Sequence, residues 1–172
     1  MDSETLKAAQ APLKQRYRED PRAGLVTLHA RGSIGEGVTC SVETGQALLK
    51  AGLHPASGGG AAGLAVNLCS GDLLLQALVA CTGVTLNAVA TSLGLDVGDA
   101  RLHAEGDLDF RGTLGVSKEV PVGFSAIRLT CEIEGDLTDE QMATLMKLTE
   151  RYCVVYQTLK VPPALTVASR RA

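Results

Sequence analysis

The chain has 172 residues and a formal net charge of −3; 45% of its residues are hydrophobic, only 3% are aromatic, and there is no tryptophan. That length fits one domain with its own core. The charge gives no electrostatic pull toward nucleic acid or an anionic membrane, and so few rings argue against a stacking platform for single strands.

The opening MDSETLKAAQ is polar and acidic, unlike a secretory signal, so the expected location is the cytoplasm. Residues 1–20 are charged and amphipathic and read as an N-terminal arm or short helix ended by Pro21; residues 21–172 read as a single domain. GLVTLHARGSIGEGVTCSVETG then reads as a hairpin, with β-branched and apolar runs flanking SIGEG, whose glycines permit a turn. Residues 45–69 are Gly-rich and irregular, a length of loop that is usually either functional or mobile.

A long helix is predicted from Ser70, as N-cap, to Leu93, with Asp72 in its first turn and Gly94 as the stop. Leu73, Leu74, Leu75, Leu78, Val79, Val84, Leu86, Val89 and Leu93 cover most of its sides, so other elements or a partner chain must enclose it. Polar interruptions such as Gln76, Thr82 and Asn87 argue against a bilayer span.

Two alternating segments follow. In ARLHAEGDLDF, Arg101, His103, Glu105, Asp107 and Asp109 oppose Leu102, Ala104, Leu108 and Phe110; in AIRLTCEIEG, Ile127, Leu129, Cys131 and Ile133 share one face. Period two with one polar face predicts antiparallel strands wet on one side. Thr138 and Gln141 match a capping box, opening a helix whose inward stripe is Met142, Leu145, Met146, Thr149, Tyr152, Cys153 and Tyr156. Pro162 and Pro163 end it, and ALTVAS is a candidate last strand. Strands and helices are segregated, which places the chain in the α+β class.

Five cysteines (Cys40, Cys69, Cys81, Cys131 and Cys153) are odd in number and form no C-x-x-C pair. A zinc framework and a secreted disulfide scaffold are both poor readings, and no metal is expected. Cys40 and Cys131 read as core. Cys69 stands just before the long helix with no apparent partner. Cys81 and Cys153, each mid-helix, are the exceptions: either they pack as inert hydrophobes or two helices bring them together for chemistry.

SGDLLLQALVACTGVTL and LTERYCVVYQTL, taken with the strand pair between them and the terminal VPPALTV, resemble the OsmC/Ohr family over about residues 24–168. The resemblance implies strands wrapped around long central helices in an intertwined homodimer, with the site at the subunit interface. It also implies reduction of organic hydroperoxides in oxidative-stress defence, without a bound cofactor and with an external dithiol as reductant. Cys81 is then the peroxidatic residue and Cys153 the resolving one, which requires their Cα atoms to approach to about 4.4–6.8 Å.

A peroxidatic sulfur must be a thiolate, whereas burial raises a thiol's pKa. Cys81 is too far along its helix for that helix's own dipole to help. A guanidinium is therefore expected beside it, with Arg31 the best candidate and Arg22 and Arg151 competing. Family members carry a Glu ten residues before the reactive Cys and a Pro after the second one; here those places hold Gly71 and Val154. Asp72 is one residue from the Glu position, an offset of roughly 100° around a helix. His54, in the Gly-rich segment, is a candidate for lining the site or donating a proton. The alternative reading is a dimeric binding or redox-sensing protein of the same fold without efficient peroxidase activity.

Overall fold

The computed structural model describes residues 3–35, 39–42, 51–52, 54–58 and 68–171. Among the described residues are five α-helices: α1 (Ser3–Glu19), α2 (Ser70–Leu93), α3 (Phe110–Thr113), α4 (Asp139–Tyr152) and α5 (Val154–Lys160). They accompany the strands β1 (Leu25–Gly35), β2 (Thr39–Val42), β3 (Ala51–Gly52), β4 (Leu68–Cys69), β5 (Ala100–Asp109) and β6 (Phe124–Ile133). β2, β1, β5 and β6 form an antiparallel sheet in that order, and β3 and β4 form a short parallel pair.

The predicted hairpin is β1 and β2, but Ser33, Ile34 and Gly35 are still paired in strand, so the connection shifts to residues 36–38, outside the described ones. Most of the Gly-rich segment 45–69 likewise lies outside them. The arm is helical: α1 is fastened by Tyr17, 2% exposed, whose hydroxyl donates to the Ala56 carbonyl at 2.6 Å while its ring packs with Phe110 and Leu114.

α2 organises the core. Leu75, Leu78, Val79, Thr82, Leu86, Val89 and Ala90 are buried, a stripe at helical spacing. Its first half packs with Leu102 and Ala104 of β5, and its second half with Val97 and with Leu145 of α4. Its other side is open, with Leu74 and Val84 38% and 37% exposed, and Leu93 is exposed at its end. By length and composition alone α2 would suffice to cross a bilayer; here it lies against the sheet and α4. Gly94 ends it in the left-handed region (φ 66°), and the Leu95 amide donates back to the Ala90 carbonyl. The N-cap is Cys69 rather than Ser70, and it makes no side-chain capping bond.

The strand alternation is as read, with one correction. Leu102 and Ala104 are buried, whereas Arg128 bridges Glu105 and Asp107 across the polar face. Asp109 does not join that wet face: it is 7% exposed, accepts from the Arg111 amide at 3.0 Å and pairs with the Arg111 guanidinium, which fixes the start of α3.

The capping box that opens α4 is reciprocal: Thr138 Oγ1 accepts from the Gln141 amide and Gln141 Oε1 from the Thr138 amide. Two expectations fail beyond it. The helix breaks at Cys153, which caps α4 and opens α5, so Cys153 is not mid-helix and Tyr152 leaves the buried stripe at 56% exposure. ALTVAS forms no strand: residues 161–171 are irregular, with Leu165 and Val167 87% and 98% exposed.

Candidate functional site

Cys153 has extended backbone angles (φ −71°, ψ 108°) between two helical segments. An interruption of this kind frees the first amides of the second segment from intrahelical bonding. Here sulfur takes them: the Tyr156 amide donates to Cys153 Sγ at 3.5 Å, and the Val154 and Val155 amides donate to the Cys81 sulfur. The Cys153 thiol also hydrogen-bonds to Cys81. Two cysteines 72 positions apart are thus brought together where the α4–α5 break meets the middle of α2. Both are free thiols.

The two sulfurs are biased in opposite directions. Burial pushes the Cys81 thiol up, but the Val155 amide, the Cys153 thiol, the Val154 amide and the Thr85 hydroxyl outweigh it and bring its pKa below the ordinary cysteine value. Burial pushes Cys153 up, and although Thr82 and the Tyr156 amide pull the other way, the neighbouring Cys81 charge keeps it raised. The pair titrates as a unit, with the anion on Cys81 and the proton on Cys153 as the favoured arrangement. Cys131, half-buried on the inner face of β6, is pushed up to about 11 by desolvation and by the charge of Cys153, so it stays a thiol.

Among the described residues, the groups that lower Cys81 are amides, a thiol and a hydroxyl, not a cation. Arg151 lies over the Tyr152 ring, 5.4 Å from its centroid, and Arg22 is exposed in the turn Pro21–Gly24; neither contributes to the lowering of Cys81. The Arg31 side chain lies outside the described residues. Its backbone pairs with His103 in the β1–β5 ladder.

His54 and Asp72 are near each other but not beside the sulfur pair. His54 caps the short turn Pro55–Ser57, its Nδ1 accepting from the Ala56 amide at 3.0 Å, and its ring stacks on Phe110 at 4.9 Å. Burial lowers its pKa, with Asp72 acting in the opposite direction. The imidazole lines a groove of about 390 Å³ at the start of α2, with Cys69, Leu74, Phe110 and Phe124. Nine residues of helix separate Asp72 from Cys81, roughly 14 Å of rise. No family Glu substitute is supplied to Cys81 from there.

What the sequence reading missed is a set of small donors. Thr82, the residue after Cys81, points its hydroxyl at Cys153 Sγ, 3.3 Å away. The amides of Val154 and Val155 have no side-chain signature at all. A faint signal existed in the pair itself, since adjacent β-branched residues are poor helix formers and suit a local break.

A profile of the OsmC-like protein family matches residues 63–168, more than half of the chain. Comparison with curated proteins finds no match. Among solved structures, the crystal structure of an OsmC-like hydroperoxide resistance protein from Jannaschia sp. CCS1 is similar, with a TM-score of 0.56 at 16% identity, over 87% of this chain and 94% of that one. The likeness at that identity is one of fold, but the match to the profile spans both cysteine helices and the strands between them, and on it the chain belongs to the OsmC-like family.

Proposed function

We propose that this chain is a thiol-dependent peroxidase that reduces organic hydroperoxides, with Cys81 as the peroxidatic residue and Cys153 as the resolving one. The observation that carries the reading is the opposite bias of two hydrogen-bonded sulfurs, one lowered and one raised. A thiolate is the competent nucleophile, and a protonated partner within hydrogen-bond reach is placed to follow it. Attack of the Cys81 sulfur on the outer peroxide oxygen breaks the O–O bond, releases the alkoxide to be protonated to an alcohol, and leaves a sulfenic acid. Condensation with the Cys153 thiol forms the disulfide and releases water. An external dithiol returns both thiols by exchange. No bound cofactor or metal is required.

The family and the hydroperoxide resistance neighbour support a peroxide-related role. The proposal extends to a homodimer, supported by the uncovered apolar side of α2, and to a reducing cytoplasm, where thiols persist. We assign an activating role to the Val154 and Val155 amides, which lower Cys81. A binding or redox-sensing role without efficient turnover is the second reading, favoured by the groove beside His54, which lies away from the sulfur pair.

Consumption of an organic hydroperoxide in the presence of a dithiol tests the proposal. The wild type is expected to exceed free thiol by orders of magnitude, Cys81→Ser to lose all of that excess, and mild oxidation to give a Cys81–Cys153 bridge on peptide mapping. A wild-type rate no better than free thiol rejects the enzyme, and a copurifying ligand with unreactive thiols selects the second reading.

A further inference from the structure

Thr82 makes a bond that its position in a helix does not call for. A threonine inside a helix ordinarily returns its hydroxyl to the carbonyl four residues back. Thr85 does so to Cys81 at 2.7 Å and Thr91 to Asn87 at 2.8 Å. The Thr82 hydroxyl reaches across from α2 to Cys153 Sγ at 3.3 Å, between residues that are 2% and 0% exposed. Water does not compete at such a site, and a buried sulfur anion without donors is costly.

We propose that Thr82 is a positioning residue for the second half of the reaction: its hydroxyl, with the Tyr156 amide, holds Cys153 Sγ toward Cys81 and stabilises it as it attacks the oxidised sulfur. This rests on the peroxidase reading given above. Cys153 has a single proton, directed at Cys81, and the Tyr156 N–H already donates to its sulfur. With the Cys153 proton directed at Cys81, the Thr82 hydroxyl serves as the donor in its pair with Cys153. Once Cys81 carries the sulfenic hydroxyl, burial still holds the Cys153 thiol up, but the added push of the Cys81 anion is gone and both donors remain. The S–S bond forms as the S–O bond of the sulfenic acid breaks; the departing hydroxide takes the proton from Cys153 and leaves as water. The two electrons lost by the sulfurs have gone to the hydroperoxide in the first step.

Thr82→Val removes the hydroxyl at nearly constant volume, and Thr82→Ser keeps it. The first readout needs no peroxide: the titration of Cys153 followed by its Cβ chemical shift in a Cys81→Ser background. Thr82→Val is expected to raise the midpoint by about one pH unit or more, as loss of a hydrogen bond to a charged group does, and Thr82→Ser to restore it. The second is single turnover with one equivalent of organic hydroperoxide. Disulfide closure is expected to slow about tenfold or more in Thr82→Val, with sulfenic acid trapped by a dimedone-type reagent, and to recover in Thr82→Ser. An unchanged Cys153 midpoint overturns the proposal. So does an equal slowing in Thr82→Ser, which would indicate packing alone. A wild type that forms no disulfide, with a midpoint that still follows the hydroxyl, refutes the peroxidase reading while upholding the contact between Thr82 and the sulfur.

Discussion

Val154 matters for its backbone. Its side chain is 71% exposed, but its N–H is one of the two amides that lower Cys81. Proline lacks that hydrogen and is well tolerated at the first position of a helix. The residue before a proline must be extended, and Cys153 already is. Val154→Pro is thus a nearly isolated deletion of one donor. The sign follows directly: with fewer donors to the thiolate, the Cys81 pKa rises toward the ordinary cysteine value. A lost hydrogen bond to a charged group amounts to about 1.5–3 kcal/mol, or roughly 1–2 pH units. The pH profile of Cys81 alkylation, read by peptide mapping, is expected to shift upward by that amount, with slower alkylation at neutral pH. An unchanged profile would assign the lowering to other groups. The two cysteines were legible in the sequence as a pair, but their donors were not: an amide has no letter of its own, and Thr82 is one of several threonines in a helix until the partner helix is in place.

At the scale of elements, legibility followed how local the determinant is. The start of α4 is written in four consecutive residues, and Thr138 and Gln141 make both bonds of the capping box. The end of α2 is written in Gly94, since its φ of 66° suits glycine. The break at Cys153 is not local in this sense. Its amides are satisfied by a sulfur on another helix, and without that tertiary partner TERYCVVYQ reads as continuous helix. Gly106 shows the same limit in the sheet. Its letter suggested nothing, but a Cβ there would stand 2.5 Å from the Phe124 ring, which lies across β5 where the β5–β6 register shifts. Gly106→Ala forces the ring aside and is expected to destabilise the protein by roughly 1–3 kcal/mol, as overpacking does. Thermal melts check it, and Phe124→Leu in the same chain should recover part of the loss, a coupling that distant sites do not show. Additive effects would mean that the ring is not what the added methyl meets.

At the scale of the whole molecule, two apolar surfaces await an explanation. One is the open side of α2, with Leu74 and Val84; the other is the segment after α5, where Val161, Leu165 and Val167 are 70%, 87% and 98% exposed. The α+β class and the antiparallel sheet were legible because alternation and capping are properties of single segments. The predicted strand at ALTVAS has the right residues but no neighbour to pair with among the described residues. A strand needs a partner as much as a pattern. The proposed homodimer accounts for both surfaces if a second copy supplies that neighbour. Replacing Leu165 and Val167 by serine removes apolar area that contributes nothing to the core of a single copy. The expected outcome is therefore a shift from dimer to monomer in sedimentation equilibrium, with far-ultraviolet circular dichroism of the helices retained. The melting temperature should become independent of protein concentration, whereas a wild-type dimer melts higher as it is concentrated. A double variant that stays dimeric would leave the segment idle and place the contact on α2, where Val84→Glu is the next substitution to break it.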